Sequence, residues 1–533
     1  MHQTETNSAF FDTYSSILFR WSDTVFDILK DYAVLDAAYN SQQRQAEYAS
    51  VCQPGTRKRV LRELMDWAEG INNHPLCWLY GPAGSGKSTI AHTIAERCSA
   101  KSASVELAAS FFFSRGKGVR SETTGLFPTL AYQLADHLPP LRAFMLHTLR
   151  SNPSIHKQTL GNQFRTLVIE PILSIKEPLP SMIIVLDALD ECGNGDLLTE
   201  VIRLLGDALT MHSLPLRFIL TSRPEEHIRN AFVLPGMQSK THPVALYDFK
   251  AHDDIRAYLE SQFVDIRRNQ EVFLRGVPRP WPSPAVIEEL VEKSEGLFIY
   301  VSTLTKYVGQ GPGLPQQKLE VVRNIHAGID PLYKQVLSAA LQGSNSKKVM
   351  GTFMLLYRPL KIKAMAELLL LTSSDIRDAL RGCHSVLIVP DADDDEIKLY
   401  HASLRDFLID RDRSQDYFVD HMQHMSITRH CMHAMASGLA NNSIGNEPLP
   451  YACQNWCRHF SAALLSGRDS VLSDLKSPFE QEMSGFLKLL HVWWKSWMYN
   501  VGNYNHLVAA HDGLKSSCMQ LKVGFYLHFT SLL

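Results

Sequence analysis

The sequence predicts an α/β fold in which a parallel β-sheet is covered by helices on both faces. Short apolar segments alternate with segments of helical period, and polar clusters directly follow three of the apolar segments. Near-continuous apolar strands that alternate with helices are typical of parallel sheets buried on both sides. Ligands of such sheets bind at the carboxyl ends of the strands, so we expect the polar clusters to form one site.

The first apolar segment, Leu76–Tyr80, leads into a glycine-rich turn and a helix that we expect to reach Arg97. Glycines let this turn curve round a polyphosphate, and the helix N-terminus that follows favours anions. Lys87 adds a cation for the β- and γ-phosphate oxygens, and the Ser88 hydroxyl suits Mg²⁺. This complete Walker A pattern predicts that a nucleotide is bound by Gly81, Pro82, Ala83, Gly84, Ser85, Gly86, Lys87, Ser88 and Thr89.

An acidic cluster follows the third predicted strand. Residues 108–116 and 181–192 are predicted as strands, and residues 123–138 and 195–209 as helices. Four apolar residues deliver Asp187 to a strand end, where a carboxylate can hold Mg²⁺ through its waters. Asp190 and Glu191 follow one helical turn later, so at least one can face the γ-phosphate and orient a water. We predict Asp187 as the Walker B metal ligand and Asp190 and Glu191 as catalytic residues.

Arg223 completes the predicted site, near the end of the apolar segment 216–225. An arginine at the end of a neighbouring strand can reach the terminal phosphate with its fork of donors and sense the loss of that phosphate. An arginine before a proline also occurs as an ordinary turn residue, and this alternative stays open. We predict the sensor role for Arg223.

The rest of the chain is predicted to be mainly helical. Residues 353–410 contain two helices, a strand, an acidic turn, a returning strand and a helix, which is the order of a winged helix. Before the core, apolar residues at helical spacing predict one or two amphipathic helices that pack on the protein itself, although a membrane or partner role is an alternative. The predicted domains are an N-terminal helical segment 1–50, an NTPase core 51–235, a small helical domain 245–335, a winged-helix domain 340–415 and a helical C-terminal region 416–533.

The composition indicates that the protein recognises its partners through local sites and that it resides in a reducing compartment. Lys and Arg number 53 against 55 Asp and Glu, so no overall field attracts nucleic acid or an anionic membrane. Nine cysteines without a regular spacing suggest reduced thiols. The N-terminal stretch has neither the apolar core of a signal peptide nor some 20 uncharged residues. We therefore expect a cytoplasmic protein without stable membrane insertion and without a nucleic-acid partner.

Six segments, in this order, resemble the NACHT nucleotide-binding module of fungal NOD-like receptors, within the signal-transducing (STAND) class of P-loop NTPases. They are GPAGSGKST, FFFSRG, IVLDALDEC, ILTSRPE, GLFIYVSTL and YHASLRDFL. The resemblance covers about residues 51–411, and Ala188 after the metal-binding Asp187 is similar to the NACHT form of Walker B. Where related plant and apoptotic modules place a proline beside the adenine, this chain has Gly296-Leu297-Phe298.

The resemblance implies a nucleotide-gated latch. Such modules hold ADP in a closed monomer, exchange it for ATP on a signal, open, assemble into a homo-oligomer and reset by slow hydrolysis. The implied ligands are Mg²⁺ and ATP or ADP, with GTP not excluded, and an effector protein is an implied partner. The implied setting is fungal immunity-like or heterokaryon-incompatibility-like signalling. His401 matches the family histidine that reaches from the winged helix to the β-phosphate of ADP, and a histidine satisfied within its own domain is the alternative.

Other classes of function remain to be distinguished from the latch. An AAA-type motor would turn over ATP rapidly, and a nucleotide-binding scaffold would not hydrolyse it. Intact Lys87, Asp187, Asp190 and Glu191 argue against the scaffold, and the sequence shows no clear Arg-rich lid for a small-molecule kinase. Only about fifty residues precede the module and no repeat array follows it. A truncated family member, an adaptor and an incomplete gene model would each explain this.

Three weaker signals are interpreted as structural. The acidic run 391–396 lacks glycine at the sixth position of a calcium loop, so we expect a solvated turn of the wing. Cys453, Cys457 and His459 lack a defined fourth zinc ligand, so we expect a core helix. The tryptophans at 493, 494 and 497 have few basic neighbours, so we expect a buried or interface cluster and no base stacking.

Overall fold

The computed structural model describes residues 25–42, 44, 51–71, 74–100, 103–115, 118–211, 214–311, 313–341, 343, 345–440 and 448–466. The chain divides into two compact units, Met1–Thr305 and Lys306–Leu533. Phe10, Tyr14, Ile17 and Trp21 of the predicted N-terminal helix lie outside the described residues, as do the tryptophans at 493, 494 and 497. Among the residues that the structure does describe, no helix is both long and apolar enough to cross a bilayer.

The first unit contains the predicted parallel sheet, and the predicted fold class is confirmed. The strands lie in the order β2-β3-β4-β1-β5, and every pair of neighbours is parallel. Their bounds are β1 Leu76–Tyr80, β2 Glu106–Phe112, β3 Met182–Asp187, β4 Leu216–Ser222 and β5 Thr241–Ala245.

The edge strand β5 was not predicted from the sequence. Residue 243 is a proline, which removes a backbone donor and is tolerated in a strand only at an edge, a strand start or a bulge. β5 occupies the edge beside β1, with Pro243 opposite Trp78. The sheet therefore continues beyond residue 235, where the sequence had placed the end of the core.

Each face of the sheet carries its own hydrophobic core because side chains alternate along a strand. In β3, Met182, Ile184 and Leu186 belong to one core and Ile183 and Val185 to the other. Ten α-helices with defined ends lie within the described part of this unit: α1 Lys58–Ala68, α2 Lys87–Ser99, α3 Leu126–His137, α4 Leu141–Ser151, α5 Leu160–Phe164, α6 Glu170–Ser174, α7 Gly195–Met211, α8 Glu226–Val233, α9 His252–Asn269 and α10 Pro284–Lys293. An eleventh, α11 Phe298–Gly309, begins in this unit and ends in the second.

The second unit contains further helices and a short antiparallel strand pair. The strands are β6 Leu387–Ile388 and β7 Lys398–Leu399. The helices are α12 Pro315–Asn324, α13 Ile329–Ala340, α14 Ser346–Leu355, α15 Ile362–Leu369, α16 Ser373–Leu380, α17 Ser403–Leu408, α18 Arg411–Ser414, α19 Gln423–Ala440 and α20 Leu449–Ser466. From α15 to α17 the elements follow the predicted order. The assignment to a winged helix and the five domain boundaries stay predictions.

Candidate functional site

The glycine-rich turn joins β1 to α2 through two residues in the left-handed region. Gly84 has a φ of 75° and Gly86 a φ of 93°, a conformation that residues with a side chain rarely adopt. Gly86 directly precedes α2, which begins at Lys87. The first N–H groups of a helix have no partner within the helix, so this end of α2 suits an anion.

Lys87 lies folded back against the turn. Its ammonium donates to the carbonyl oxygens of Gly81 and Pro82, each at 2.9 Å, and only 9% of the residue is exposed. Burial lowers the pKa of Lys87 because the charged form loses hydration, and nearby Asp190 and Asp187 act in the opposite direction. A desolvated ammonium among backbone groups suits a polyphosphate, because the charged phosphate oxygens would accept the hydrogen bonds that the two carbonyls accept in this structure.

The other predicted residues of the turn differ in their hydrogen bonds and in their exposure. The Ser85 hydroxyl donates to the Pro82 carbonyl at 2.9 Å, which closes the turn on itself. The Thr89 carbonyl accepts from the Thr93 hydroxyl at 2.7 Å within α2. Ala83 is half-buried, whereas Ser88 is exposed at the start of α2.

Asp187 lies at the end of β3 and is 1% exposed. Its carboxylate accepts a hydrogen bond from the Thr221 hydroxyl at 2.5 Å, and the Ser88 hydroxyl lies close enough to influence its pKa. Burial raises the pKa of Asp187, and the Arg44 charge and these two hydroxyls act against the rise. The structure therefore brings together Ser88 and Asp187, the two oxygen donors predicted for Mg²⁺, and their chemistry fits that ion.

The two acids that follow Asp187 have different partners. The carboxylate of Asp190, 5% exposed, accepts from the Arg223 side chain and from the Arg223 backbone N–H, both at 3.0 Å. The carboxylate of Glu191 accepts from the backbone N–H of Arg115 at 3.0 Å. Burial raises the pKa of Glu191 to about 7, and Asp190 adds to this rise. The sequence left the roles of the two acids open, and the structure gives each acid a different partner.

Arg57, which the sequence analysis missed, packs directly on the glycine-rich turn. The Arg57 side chain donates to the Ser85 carbonyl at 2.6 Å, and its guanidinium carbon lies 4.7 Å from the centre of the Phe298 ring. Arg57 has a φ of 55° and is 5% exposed. No local pattern at Arg57 would have revealed this contact, because the contact depends on the folded arrangement. Thr221, on β4, belongs to the polar cluster that the sequence placed at the site, and it donates to Asp187 as described above.

The N-terminus of α11 also touches the turn, at Gly84. The backbone N–H of Ile299 donates to the Gly84 carbonyl at 3.1 Å. A Cβ atom added at Gly84 would lie 2.0 Å from Cγ2 of Ile299, whereas a Cβ added at Gly86 would meet nothing within 4 Å. The turn therefore needs glycine at both positions for conformation, and at Gly84 also for space.

We expect Gly84→Ala to destabilise the protein more than Gly86→Ala does. Both variants carry the left-handed strain of about 1–2 kcal/mol, and only Gly84→Ala adds overpacking of about 1–3 kcal/mol against Ile299. The free energy of unfolding, from urea titration without nucleotide, measures the difference. An equal loss in the two variants would contradict the contact between Gly84 and Ile299.

His401 lies in the second unit, between β7 and α17. Its Nδ1 accepts the backbone N–H of Ser403 at 3.0 Å, so a neutral His401 ring carries its proton on Nε2. The Ser403 hydroxyl lies 2.7 Å from the same nitrogen and 2.8 Å from the Tyr333 hydroxyl. These contacts orient the imidazole, and the contact with a β-phosphate stays a prediction.

The weaker signals of the second unit have local structural partners. Cys453, Cys457 and His459 are buried in α20, and the His459 ring bonds to His424 and Tyr451, each at 2.7 Å. Within the described residues, no group of three or more His, Cys, Asp or Glu side chains is arranged to hold a metal ion. The turn at 391–396 is mostly exposed and lies between β6 and β7.

Residues 55–223 match the model of the family described as Nephrocystin 3, N-terminal. The match begins just before α1 and ends at Arg223, so it contains the glycine-rich turn and the acidic strand end of the site. The chain carries a P-loop NTPase core, with a glycine-rich turn after β1 and a parallel five-stranded sheet. The geometry of this NTPase core, with Lys87 beside the acids that end β3, is that of a nucleotide-binding site.

Comparison with solved structures gives remote likenesses. A STAND protein with a tetratricopeptide repeat sensor from Pyrococcus horikoshii is 11% identical, with 89% of this chain and 66% of that chain covered and a TM-score of 0.39. The chain thus spans just under two thirds of that protein. The ORC1 protein of Aeropyrum pernix, solved in complex with DNA, is 14% identical, with 67% and 92% covered and a TM-score of 0.30. No curated protein matches the chain.

Proposed function

We propose that the chain is an ATP/ADP-dependent signalling switch that hydrolyses ATP slowly. In this proposal the ADP-bound form is a closed monomer, and exchange for ATP opens it and allows homo-oligomers to form. A ligand shifts such an equilibrium only by its difference in affinity for the two states. The site must therefore contain a group whose contacts depend on the terminal phosphate.

The pair formed by Arg223 and Asp190 is the observation that carries this proposal. Arg223 is held by Asp190 through two contacts of 3.0 Å, one from its side chain and one from its backbone. Both residues lie close enough to the Lys87 ammonium to influence its pKa. A γ-phosphate bound beside Lys87 would compete with Asp190 for the Arg223 guanidinium, and its loss would restore the pair.

The remaining residues of the core have roles that follow from their contacts. The backbone of the turn and Lys87 bind the phosphates. Ser88 and Asp187 would hold Mg²⁺, which would supply positive charge to the phosphate oxygens. Glu191 accepts the proton of the attacking water, because its raised pKa of about 7 suits a base at neutral pH. Hydrolysis by this arrangement removes the γ-phosphate and resets the switch.

Mass spectrometry of the nucleotide released from denatured purified protein, with light scattering of the native protein, tests the proposal. We expect about one ADP per chain in a monomer, and larger species after exchange for ATP. Absence of any nucleotide would contradict the proposal. Rapid steady turnover would favour an AAA-type motor, and binding without any hydrolysis would favour a scaffold.

His401→Leu is expected to weaken ADP retention and to raise the oligomeric fraction with ATP. The reason is the loss of one hydrogen bond to a charged phosphate, which contributes about 1.5–3 kcal/mol. Size-exclusion chromatography with light scattering, for both proteins with ADP and with ATP, measures this. If both hold ADP equally and remain equally monomeric, then His401 only supports its own domain through Ser403.

A further inference from the structure

β2 and β3 end side by side, which places the residues after each strand next to one another. Phe112, the last residue of β2, lies opposite Asp187, the last residue of β3. The backbone N–H of Phe113 then donates to the Asp187 carbonyl at 3.0 Å, so the pairing continues past the strand ends. Arg115 follows two residues later and therefore lies beside the turn that carries Asp190 and Glu191.

The turn after Asp187 directs its two acids to opposite sides. Ala188 adopts the left-handed conformation with a φ of 60°, and a single 3₁₀ turn, Leu189–Glu191, follows. Asp190 consequently meets Arg223 at the end of β4, whereas Glu191 meets Arg115 after β2. Asp190 is thus paired with an arginine side chain, whereas Glu191 is held by the backbone N–H of Arg115.

Arg115 contacts this turn twice. Its backbone N–H donates to the Glu191 carboxylate at 3.0 Å, and its guanidinium donates to the backbone carbonyl of Asp190 at 2.6 Å. The first contact holds the Glu191 carboxylate, and the second holds the backbone of Asp190, the preceding residue. The first contact opposes rotation of the Glu191 side chain, and the second, from the Arg115 side chain, fixes the backbone of the turn from which Glu191 extends.

The segment that carries Arg115 is itself anchored. The Ser114 N–H donates to the Arg120 carbonyl at 3.1 Å, and the Gly193 N–H donates to the Ser121 carbonyl at 2.7 Å. Arg120 is 3% exposed and donates to the Phe112 carbonyl at 3.3 Å. Arg115 therefore extends from a fixed support, which a positioning group requires.

We propose that Arg115 is a positioning residue that keeps Glu191 in place to activate the water for hydrolysis. This inference rests on the proposed function, because it assigns Arg115 a part in the same reaction. Small misplacement of a catalytic base costs rate even when substrate binding is intact. An arginine that acts through Glu191 should therefore affect the chemical step and leave the nucleotide affinity unchanged.

The test compares Arg115→Ala with wild type in single-turnover ATP hydrolysis and in binding of a fluorescent ATP analogue. We expect the rate constant to fall about tenfold and the Kd to stay within about twofold. Arg115→Lys retains a charged donor for the Asp190 carbonyl and should recover most of the rate. Arg203→Ala, in an exposed ion pair with Asp207 on α7, is the matched control and should behave as wild type.

A double-mutant cycle with Glu191→Gln shows whether Arg115 acts through this base. If it does, Arg115→Ala should slow wild type and have little effect in the Glu191→Gln background. An equal slowing in both backgrounds, or a Kd that rises as much as the rate falls, would overturn the inference. Thermal unfolding of each variant separates these outcomes from a general loss of folded protein.

Failure of the inference differs from failure of the proposed function. If wild type hydrolyses ATP and Arg115→Ala does so at the same rate, only the role of Arg115 is wrong. If wild type binds no nucleotide, or binds it without hydrolysis, the proposed switch with slow hydrolysis is wrong, and the role of Arg115 with it.

Discussion

Replacement of Lys87 by alanine is expected to abolish nucleotide retention. Lys87 is the buried cation of the glycine-rich turn, with its ammonium held by the carbonyls of Gly81 and Pro82. A bound polyphosphate would lose its charge-assisted contacts with the ammonium, at about 1.5–3 kcal/mol each. The carboxylates of Asp187 and Asp190 would also lose the cation that offsets their repulsion of phosphate. Two such contacts correspond to a loss of affinity of about hundredfold or more.

Nucleotide content of the purified Lys87→Ala protein, by mass spectrometry after denaturation, measures this effect. Lys58→Ala is the matched control, because Lys58 is an exposed lysine at the start of α1. The control should retain as much ADP as wild type. Unchanged ADP content in Lys87→Ala would contradict the assignment of the turn as a phosphate loop.

The parts of the site that depend on short stretches of sequence were predictable. A glycine-rich turn between a strand and a helix has one dominant use, and the acid at the end of β3 follows from the apolar run before it. The structure brings Asp187, Asp190 and Arg223 into electrostatic range of Lys87, as the parallel sheet predicted. These residues meet because parallel strands end at one edge.

The parts that depend on tertiary contacts were not predictable. The sequence could not distinguish the roles of Asp190 and Glu191. Their carboxylates point to opposite sides because the backbone of Ala188 is left-handed. The hydrogen bond from the Ile299 N–H to the Gly84 carbonyl joins residues about two hundred positions apart, and the sequence shows no pattern that links them. Arg115 lay within a recognised segment, yet the role that we propose for it depends on the pairing of β2 with β3.

Replacement of Glu191 by glutamine is expected to slow hydrolysis about 10²–10⁴-fold while nucleotide binding survives. The glutamine carbonyl can still accept the Arg115 N–H, so the turn keeps its geometry and loses only the charge and the basicity of the carboxylate. Single-turnover hydrolysis and ADP retention measure the two effects separately. Glu260→Gln, at an exposed position of α9, is the matched control and should hydrolyse ATP as wild type does.

The pH dependence of hydrolysis gives a second test of Glu191. Burial raises its pKa from the ordinary 4.5 to about 7, and only the deprotonated form accepts a proton from water. The wild-type rate should therefore rise with pH through about 7 and fall about tenfold for each unit below it. Glutamine does not titrate, so this limb of the profile should disappear in Glu191→Gln. Equal turnover in the two proteins would instead assign the water-activating role to Asp190, which would then have to release Arg223 before it could accept a proton.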